Sequence, residues 1–168
     1  MTLQDAPHSR HFWARTGGGV VHVLHPGDVA CVDRGDRLET LLGSCVAIVL
    51  TDPRRTVGAM CHIVHARPSP AGVADTAFGD AALSAMFRLL RLRGIVGQLC
   101  HAWVFGGGNM FPSLVSEGHV GDGNARWAMN ALKAEGIRII NCSIGGAAYR
   151  RLGWTVGDAE PEVLAFDV

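Results

Sequence analysis

Two apolar runs lie close together in the first half of the chain, at residues 41–50 and 57–65. A short polar segment that contains Asp52-Pro53 separates them, and Asp-Pro between apolar runs is a strong turn signal. The pattern predicts two buried antiparallel strands joined as a hairpin. Such pairing brings Cys45, at the start of the first run, and His62, near the end of the second, to the same end of a sheet.

Apolar residues recur at helical spacing in two later segments, at about 75–93 and about 124–135. We expect Asp75 or a neighbour to cap the first helix. Each helix is followed by a glycine, then by an apolar strand, at 101–105 and 137–142, and then by consecutive glycines. This repeated order predicts helices packed against a sheet.

Shorter β-rich segments occur at both ends of the chain, at 20–24, 29–32, 152–156 and 163–166. Residues 1–19 are polar and end in three glycines, which predicts a mobile N-terminal arm. The remaining length is enough for one sizeable core. We therefore expect a single domain at 20–168.

The composition narrows the class of protein. Hydrophobic residues make up 48% of the chain and charged residues 18%, which predicts a folded domain. The formal net charge is zero and no basic stripe is present, which argues against nucleic acid as the main partner. No apolar run approaches the length of a membrane span, and the N-terminus has no signal-peptide pattern. These features predict a cytoplasmic protein without membrane insertion.

The cysteines and histidines do not form a metal-binding pattern. The five cysteines are widely spaced without Cys-x-x-Cys, which favours reduced thiols. The group Cys61-His62-x-x-His65 lacks a fourth ligand, and strand residues three apart face opposite sides. Three further histidines also lack ligand spacing: His11, His22 and His25. We predict no metal and no cofactor.

Candidate chemistry centres on Cys45, which follows Gly43 and Ser44 at the mouth of a predicted strand, where backbone amides can be free. A thiol beside an imidazole is a recurring nucleophilic arrangement, because the imidazole removes the thiol proton and stabilises the thiolate. Burial as a small hydrophobic residue is the commoner role of a free cysteine. The residues alone leave both interpretations open.

The segments Leu42–Ala47 and Gly58–His62 resemble the chemoreceptor glutamine deamidase family, CheD. The resemblance spans roughly residues 29–166 and includes Gly-Gly-x-x-Met-Phe, which begins here at Gly106. It implies a protein-glutamine deamidase that converts glutamine side chains on the cytoplasmic helices of methyl-accepting chemotaxis receptors to glutamate. Cys45 would be the nucleophile and His62 the general base. A chemotaxis phosphatase of the CheC type would be a second partner.

The family also places a threonine shortly before its nucleophile, where it orients the base. Thr40 is the threonine available, and Glu39 beside it points to the opposite face of an extended strand. Either side chain could accept the imidazole N–H. The predicted fold is α+β, with mixed and antiparallel sheets in a layered sandwich and two helices on the outside.

Glycine-rich turns complete the predicted site. Gly43 and Ser44 belong to a loop that would bind substrate or stabilise an oxyanion, together with Gly107 and Gly108, which allow the backbone to approach the catalytic strand or a bound substrate. Two other functions stay open. One is a non-catalytic module that binds receptors or the phosphatase, and the other is a cysteine amidase that acts on another substrate.

Overall fold

The computed structural model describes residues 18–168, in which strands and helices form two sheets and an outer helical layer. A short 3-10 helix, Gly97–Leu99, precedes the sixth strand. In chain order the elements are β1 (Val21–Leu24), β2 (Val29–Asp33), β3 (Arg37–Leu42), β4 (Val46–Thr51), β5 (Val57–Ile63), α1 (Gly79–Leu92), β6 (His101–Gly106), α2 (Val120–Ala134), β7 (Arg138–Ile144), β8 (Ala148–Thr155) and β9 (Glu162–Asp167).

The strands pair into a four-stranded sheet, β1-β3-β8-β9, and a five-stranded sheet, β2-β5-β4-β6-β7. Each sheet has one parallel pair, β1 with β3 and β6 with β7, and its other neighbours are antiparallel. One apolar core lies between the two sheets, and another lies between the five-stranded sheet and both helices. The predicted α+β sandwich with two outer helices is confirmed.

The predicted hairpin is confirmed at the centre of the five-stranded sheet. Strand β4 pairs antiparallel with β5, and all residues of both strands are buried. Ile48 faces the helices, whereas Val49 faces the other sheet. Because both faces of these strands are covered, their sequence is almost continuously apolar instead of alternating.

The predicted start of the first helix was wrong by four residues. Helix α1 begins at Gly79, and its N-cap Phe78 makes no side-chain capping hydrogen bond. Asp75 accepts the N–H of Ala77 in the turn before the helix instead of capping it. The chain here is held by the segment that follows β5, because Gly79 donates its N–H to the carbonyl of His65 at 2.9 Å.

Helix α2 begins at Val120, four residues before the predicted start. His119 caps it by accepting the N–H of Asp122 at 3.3 Å. The glycines of this first turn are typical of a loop, but Gly121 lies against the loop that follows β6. The parallel crossover β6–α2–β7 therefore brings the start of α2 beside the end of β6 and the start of β4.

The predicted arm at residues 1–19 lies outside the described residues except for Gly18 and Gly19. The single domain predicted for 20–168 stays a prediction. Across residues 18–168, no helix is long and apolar enough to cross a membrane.

Candidate active site

His62 lies near the end of β5, on the face that turns toward the four-stranded sheet. It pairs with Ala47 of β4 and has a relative exposure of 2%. Met60, two residues earlier on the same face, belongs to the core between the sheets. The imidazole is therefore held in a largely water-free position between the two sheets.

Thr40 reaches the imidazole from β3 of the opposite sheet. Its hydroxyl donates to the carbonyl of Leu24 at 2.8 Å and lies 2.8 Å from Nδ1 of His62. A hydroxyl has one proton, and the Leu24 carbonyl can only accept. Nδ1 of His62 must therefore donate to Thr40, which leaves Nε2 unprotonated and able to act as a base.

Glu39, the alternative orienting residue, points away from His62. Its carboxylate accepts a hydrogen bond from the guanidinium of Arg37 at 2.8 Å and is 2% exposed. The alternation of side chains along β3 separates these neighbours onto opposite faces of the sheet. Of the two side chains, the structure brings only Thr40 to the imidazole.

Burial controls the charge of the imidazole. It lowers the pKa of His62 from its ordinary 6.5 to about 4, and the carboxylate of Asp28 opposes this effect. A hydroxyl cannot supply the negative charge with which a carboxylate would stabilise an imidazolium. His62 is therefore neutral near pH 7, which is the form that accepts a proton.

Cys45 lies immediately before β4 and packs its half-buried side chain against the core between the sheets. Ala47, two residues later on the same face, is directly opposite His62. Cys45 and His62 are thus diagonal neighbours across two strands, a relation that places residues roughly 7–8 Å apart. Among the described residues, no hydrogen bond joins the Cys45 thiol to an imidazole. Burial raises the pKa of the Cys45 thiol, so the resting pair is a neutral thiol and a neutral imidazole.

The turn that carries Cys45 is held by its carbonyl groups. Gly107 donates its N–H to the carbonyl of Cys45 at 2.8 Å, and Gly108 donates to that of Gly43 at 2.9 Å. In the described part of the chain, the N–H groups of Ser44 and Cys45 donate to no hydrogen-bond acceptor. These two amides have the character of oxyanion donors.

The amides of Gly107 and Gly108 donate to carbonyl groups of this turn and support it, and the predicted place of both glycines in a substrate or oxyanion loop stays a prediction. Close approach explains the glycines at this point. A Cβ at Gly108 would lie 2.1 Å from the carbonyl oxygen of Ala148. A Cβ at Gly106 would lie 2.2 Å from the carbonyl oxygen of Cys45. These two carbonyls belong to β8 and to Cys45, and the expected approach of Gly107 and Gly108 to a bound substrate stays a prediction.

Asn124 is a residue of this region that the sequence analysis missed. Its side-chain amide, buried at 2% exposure in α2, donates to the carbonyls of Ser44 at 3.0 Å and Val64 at 3.1 Å. The available signal was a polar residue on the buried face of a helix among Gly121, Ala125 and Ala128. A buried amide requires partners, and here both lie beside the candidate site.

A cavity of about 380 Å³ opens beside the turn. Ser44 contributes to one side, and the loop after β6 and the first turn of α2 form most of the remaining wall. The lining is predominantly apolar and includes Ser44, Gly108, Asn109, Met110, Phe111, Val115, Gly118, His119, Val120 and Gly121. Phe111 keeps 66% of its surface exposed at the rim.

The candidate metal ligands do not converge. Cys61 belongs to the core beneath the helices, whereas His62 faces the other sheet. The ring of His65 packs at a tilt against the ring of Phe78. Within residues 18–168, no group of three or more His, Cys, Asp or Glu side chains is arranged to hold a metal ion. His11 lies outside the described residues.

A neutral hydroxyl orients the imidazole, and the thiol lies one strand away, at a turn whose amides are free. This arrangement is typical of cysteine hydrolases. Comparison with known proteins narrows this class. The family model described as CheD chemotactic sensory transduction matches residues 65–163. That match begins three residues after His62, whereas the similarity to individual relatives covers a larger share of the chain.

Three relatives illustrate that similarity. "Probable chemoreceptor glutamine deamidase CheD 2" of Albidiferax ferrireducens is 34% identical over 142 residues, covering 82% of each chain. The "Probable chemoreceptor glutamine deamidase CheD" of Jannaschia sp. is 28% identical and covers 91% of this chain and 85% of its own. The protein of that name from Pseudomonas fluorescens is 33% identical and covers 77% and 76%. The chain belongs to the CheD family.

A solved structure shows a weaker likeness. A Neisseria meningitidis protein of the DUF152 family superposes with a TM-score of 0.40 at 14% identity. The superposition covers 71% of this chain and 53% of that one. The TM-score is too low to define a shared fold.

Proposed function

We propose that the protein is a chemoreceptor glutamine deamidase. Its substrates are glutamine side chains on the cytoplasmic helices of methyl-accepting chemotaxis receptors, and its products are glutamate and ammonia. Membership of the CheD family supports the substrate. The observation that supports the chemistry best is the hydrogen bond of 2.8 Å between Thr40 and Nδ1 of His62, because it leaves Nε2 as a base on the face that Cys45 shares.

The reaction begins when Nε2 of His62 removes the thiol proton of Cys45. The thiolate attacks the carboxamide carbon, and the N–H groups of Ser44 and Cys45 donate to the resulting oxyanion. Protonated His62 transfers its proton to the departing nitrogen, so that ammonia leaves and a thioester remains. His62 then activates a water molecule, which hydrolyses the thioester to glutamate and restores the thiol. The chain's own side chains supply every proton transfer.

The substrate suggests a use for the apolar cavity beside Ser44. Receptor helices present apolar side chains at intervals of three and four residues. A glutamine side chain that enters beside Cys45 would bring such neighbours over Met110 and Val115. The same substrate supports a cytoplasmic location, and the family resemblance supports a CheC-type phosphatase as a second partner.

Ammonia release tests this function. Wild-type protein should release ammonia from a receptor cytoplasmic fragment but not from free glutamine. Cys45→Ala should abolish the release, and the exposed-thiol control Cys142→Ala should retain it. Equal release from free glutamine would indicate a cysteine amidase of broader substrate range. Binding of the fragment without ammonia release would indicate a non-catalytic receptor-binding module.

A further inference from the structure

Three consecutive carbonyl groups in the turn before β4 each accept a hydrogen bond from the loop after β6 or from α2. The carbonyls of Gly43 and Cys45 accept backbone N–H groups from Gly108 and Gly107. The carbonyl between them, that of Ser44, accepts the side-chain amide of Asn124 at 3.0 Å. Two of the three supports are therefore backbone groups, and only the middle one depends on a particular side chain.

A trans peptide is planar, and its C=O and N–H point in opposite directions. The carbonyl of Ser44 and the N–H of Cys45 belong to one peptide unit. When Asn124 holds that carbonyl toward α2, it directs the N–H of Cys45 away from α2. The bond from Gly108 to Gly43 sets the direction of the Ser44 N–H in the same way. The orientation of both candidate oxyanion donors thus follows from contacts on the opposite side of the turn.

The other hydrogen bond of Asn124 connects the turn to the strand of the base. The same nitrogen donates at 3.1 Å to the carbonyl of Val64, two residues after His62. Asparagine is a weak helix former, and burial of its amide is costly without partners. Asn124 is 2% exposed, so these two hydrogen bonds supply the partners that its buried amide requires.

We propose that Asn124 is a positioning residue that aims the N–H of Cys45 at the oxyanion of the reacting carboxamide. This inference rests on the proposed deamidase function. Asn124 acts from α2 through the carbonyl of Ser44, and it does not contact the substrate. Its loss should weaken an interaction that forms in the transition state while leaving the thiol and the imidazole in place.

The test compares Asn124→Ala and Asn124→Leu with wild type. The leucine variant fills a similar volume without donors, so it separates the lost hydrogen bonds from a lost side chain. Asn130→Ala, at an exposed position on the same helix, is the matched control. Two quantities are measured for each protein: kcat and KM for ammonia release from the receptor fragment, and the rate of Cys45 alkylation by iodoacetamide as a function of pH.

Alkylation provides the decisive contrast, because the thiolate displaces iodide at a saturated carbon and no oxyanion develops. We expect kcat to fall on the order of 100-fold in both Asn124 variants, as for the loss of one oxyanion donor. KM, the alkylation rate and its pH profile should each stay within about twofold of wild type. Asn130→Ala should match wild type in every measurement.

Two results would overturn the inference while leaving the deamidase function intact. One is an unchanged kcat in both Asn124 variants. The other is a parallel fall of kcat and the alkylation rate, since that pattern indicates a collapsed site instead of a misdirected amide. Wild-type protein that alkylates normally but releases no ammonia from any receptor fragment would refute the proposed function itself.

Discussion

The buried imidazole of His62 should make the protein lose stability on mild acidification. Burial lowers its pKa in the folded protein from 6.5 to about 4. Between these two values the unfolded chain binds the proton that the folded protein excludes. The free energy of unfolding therefore rises with pH through this window, and this contribution is complete above the unfolded pKa.

The magnitude follows from the difference between the two pKa values. Each pKa unit corresponds to about 1.4 kcal/mol, so the full effect is roughly 3 kcal/mol, and most of it should be lost by about pH 4.5. Solvent screens this effect only weakly, because His62 is 2% exposed. A loss of this size is a large part of the 5–15 kcal/mol or so that is typical of a folded domain.

Urea unfolding at a series of pH values from 7.5 to about 4.5 measures the effect, with the fluorescence of buried Trp103 and Trp154 as the probe. His62→Gln is the comparison, because it keeps a polar side chain of similar size without a group that titrates in this range. The stability of wild type relative to this variant should fall as the pH falls below about 6.5. Parallel curves for the two proteins would refute the assignment of a buried neutral imidazole.

Substitutions at three positions test the geometry of the site and the packing around it. Thr40→Val keeps the volume but removes the acceptor for Nδ1 of His62, so kcat for ammonia release should fall on the order of 100-fold, whereas Thr40→Ser should retain most activity. Equal rates for the valine and serine variants would contradict an orienting role of the hydroxyl. Gly121→Ala places a Cβ 2.5 Å from two carbonyl oxygens of the loop after β6 and should destabilise the protein by roughly 1–3 kcal/mol in urea unfolding. A Cβ at Gly123 would meet nothing within 4 Å, so Gly123→Ala should stabilise the protein by about 1 kcal/mol. Stability changes of the same sign for the two glycine variants would contradict this packing.

The central hairpin was predictable because its signals are local. Two apolar runs around Asp52-Pro53 predict antiparallel pairing, and the observed register places Ala47 opposite His62. The shared face of Cys45 and His62 follows from that register and from the alternation of side chains along a strand. This part of the candidate site is thus encoded in a segment of about twenty residues.

The rest of the site depends on contacts between distant segments. Neither spacing nor composition could choose between Glu39 and Thr40, because the choice depends on which face of β3 turns toward the other sheet. The packing of the two sheets decides it: Leu38 and Leu42, on the same face as Thr40, lie in the core between the sheets, and Thr40 contacts His62. Asn124 was missed for the same reason, since its two acceptors are 80 and 60 residues away along the chain.

The helix starts were displaced because tertiary contacts overrode local signals. Asp75 has the side chain of a good cap, but it closes a turn before α1. The glycines at the start of α2 favour a loop, yet Gly121 is required where α2 meets the loop after β6. In both places, packing around the candidate site determines the boundary more strongly than helix propensity does.

Peptide mass spectrometry of a receptor cytoplasmic fragment tests the central claim most directly. The fragment is incubated with wild type, Cys45→Ala or Cys142→Ala, and each glutamine is followed separately. Wild type and Cys142→Ala should convert the same defined glutamines to glutamate, and Cys45→Ala should convert none. Conversion by Cys45→Ala at the wild-type rate would exclude Cys45 as the nucleophile, and no conversion by any of the three would contradict the deamidase function.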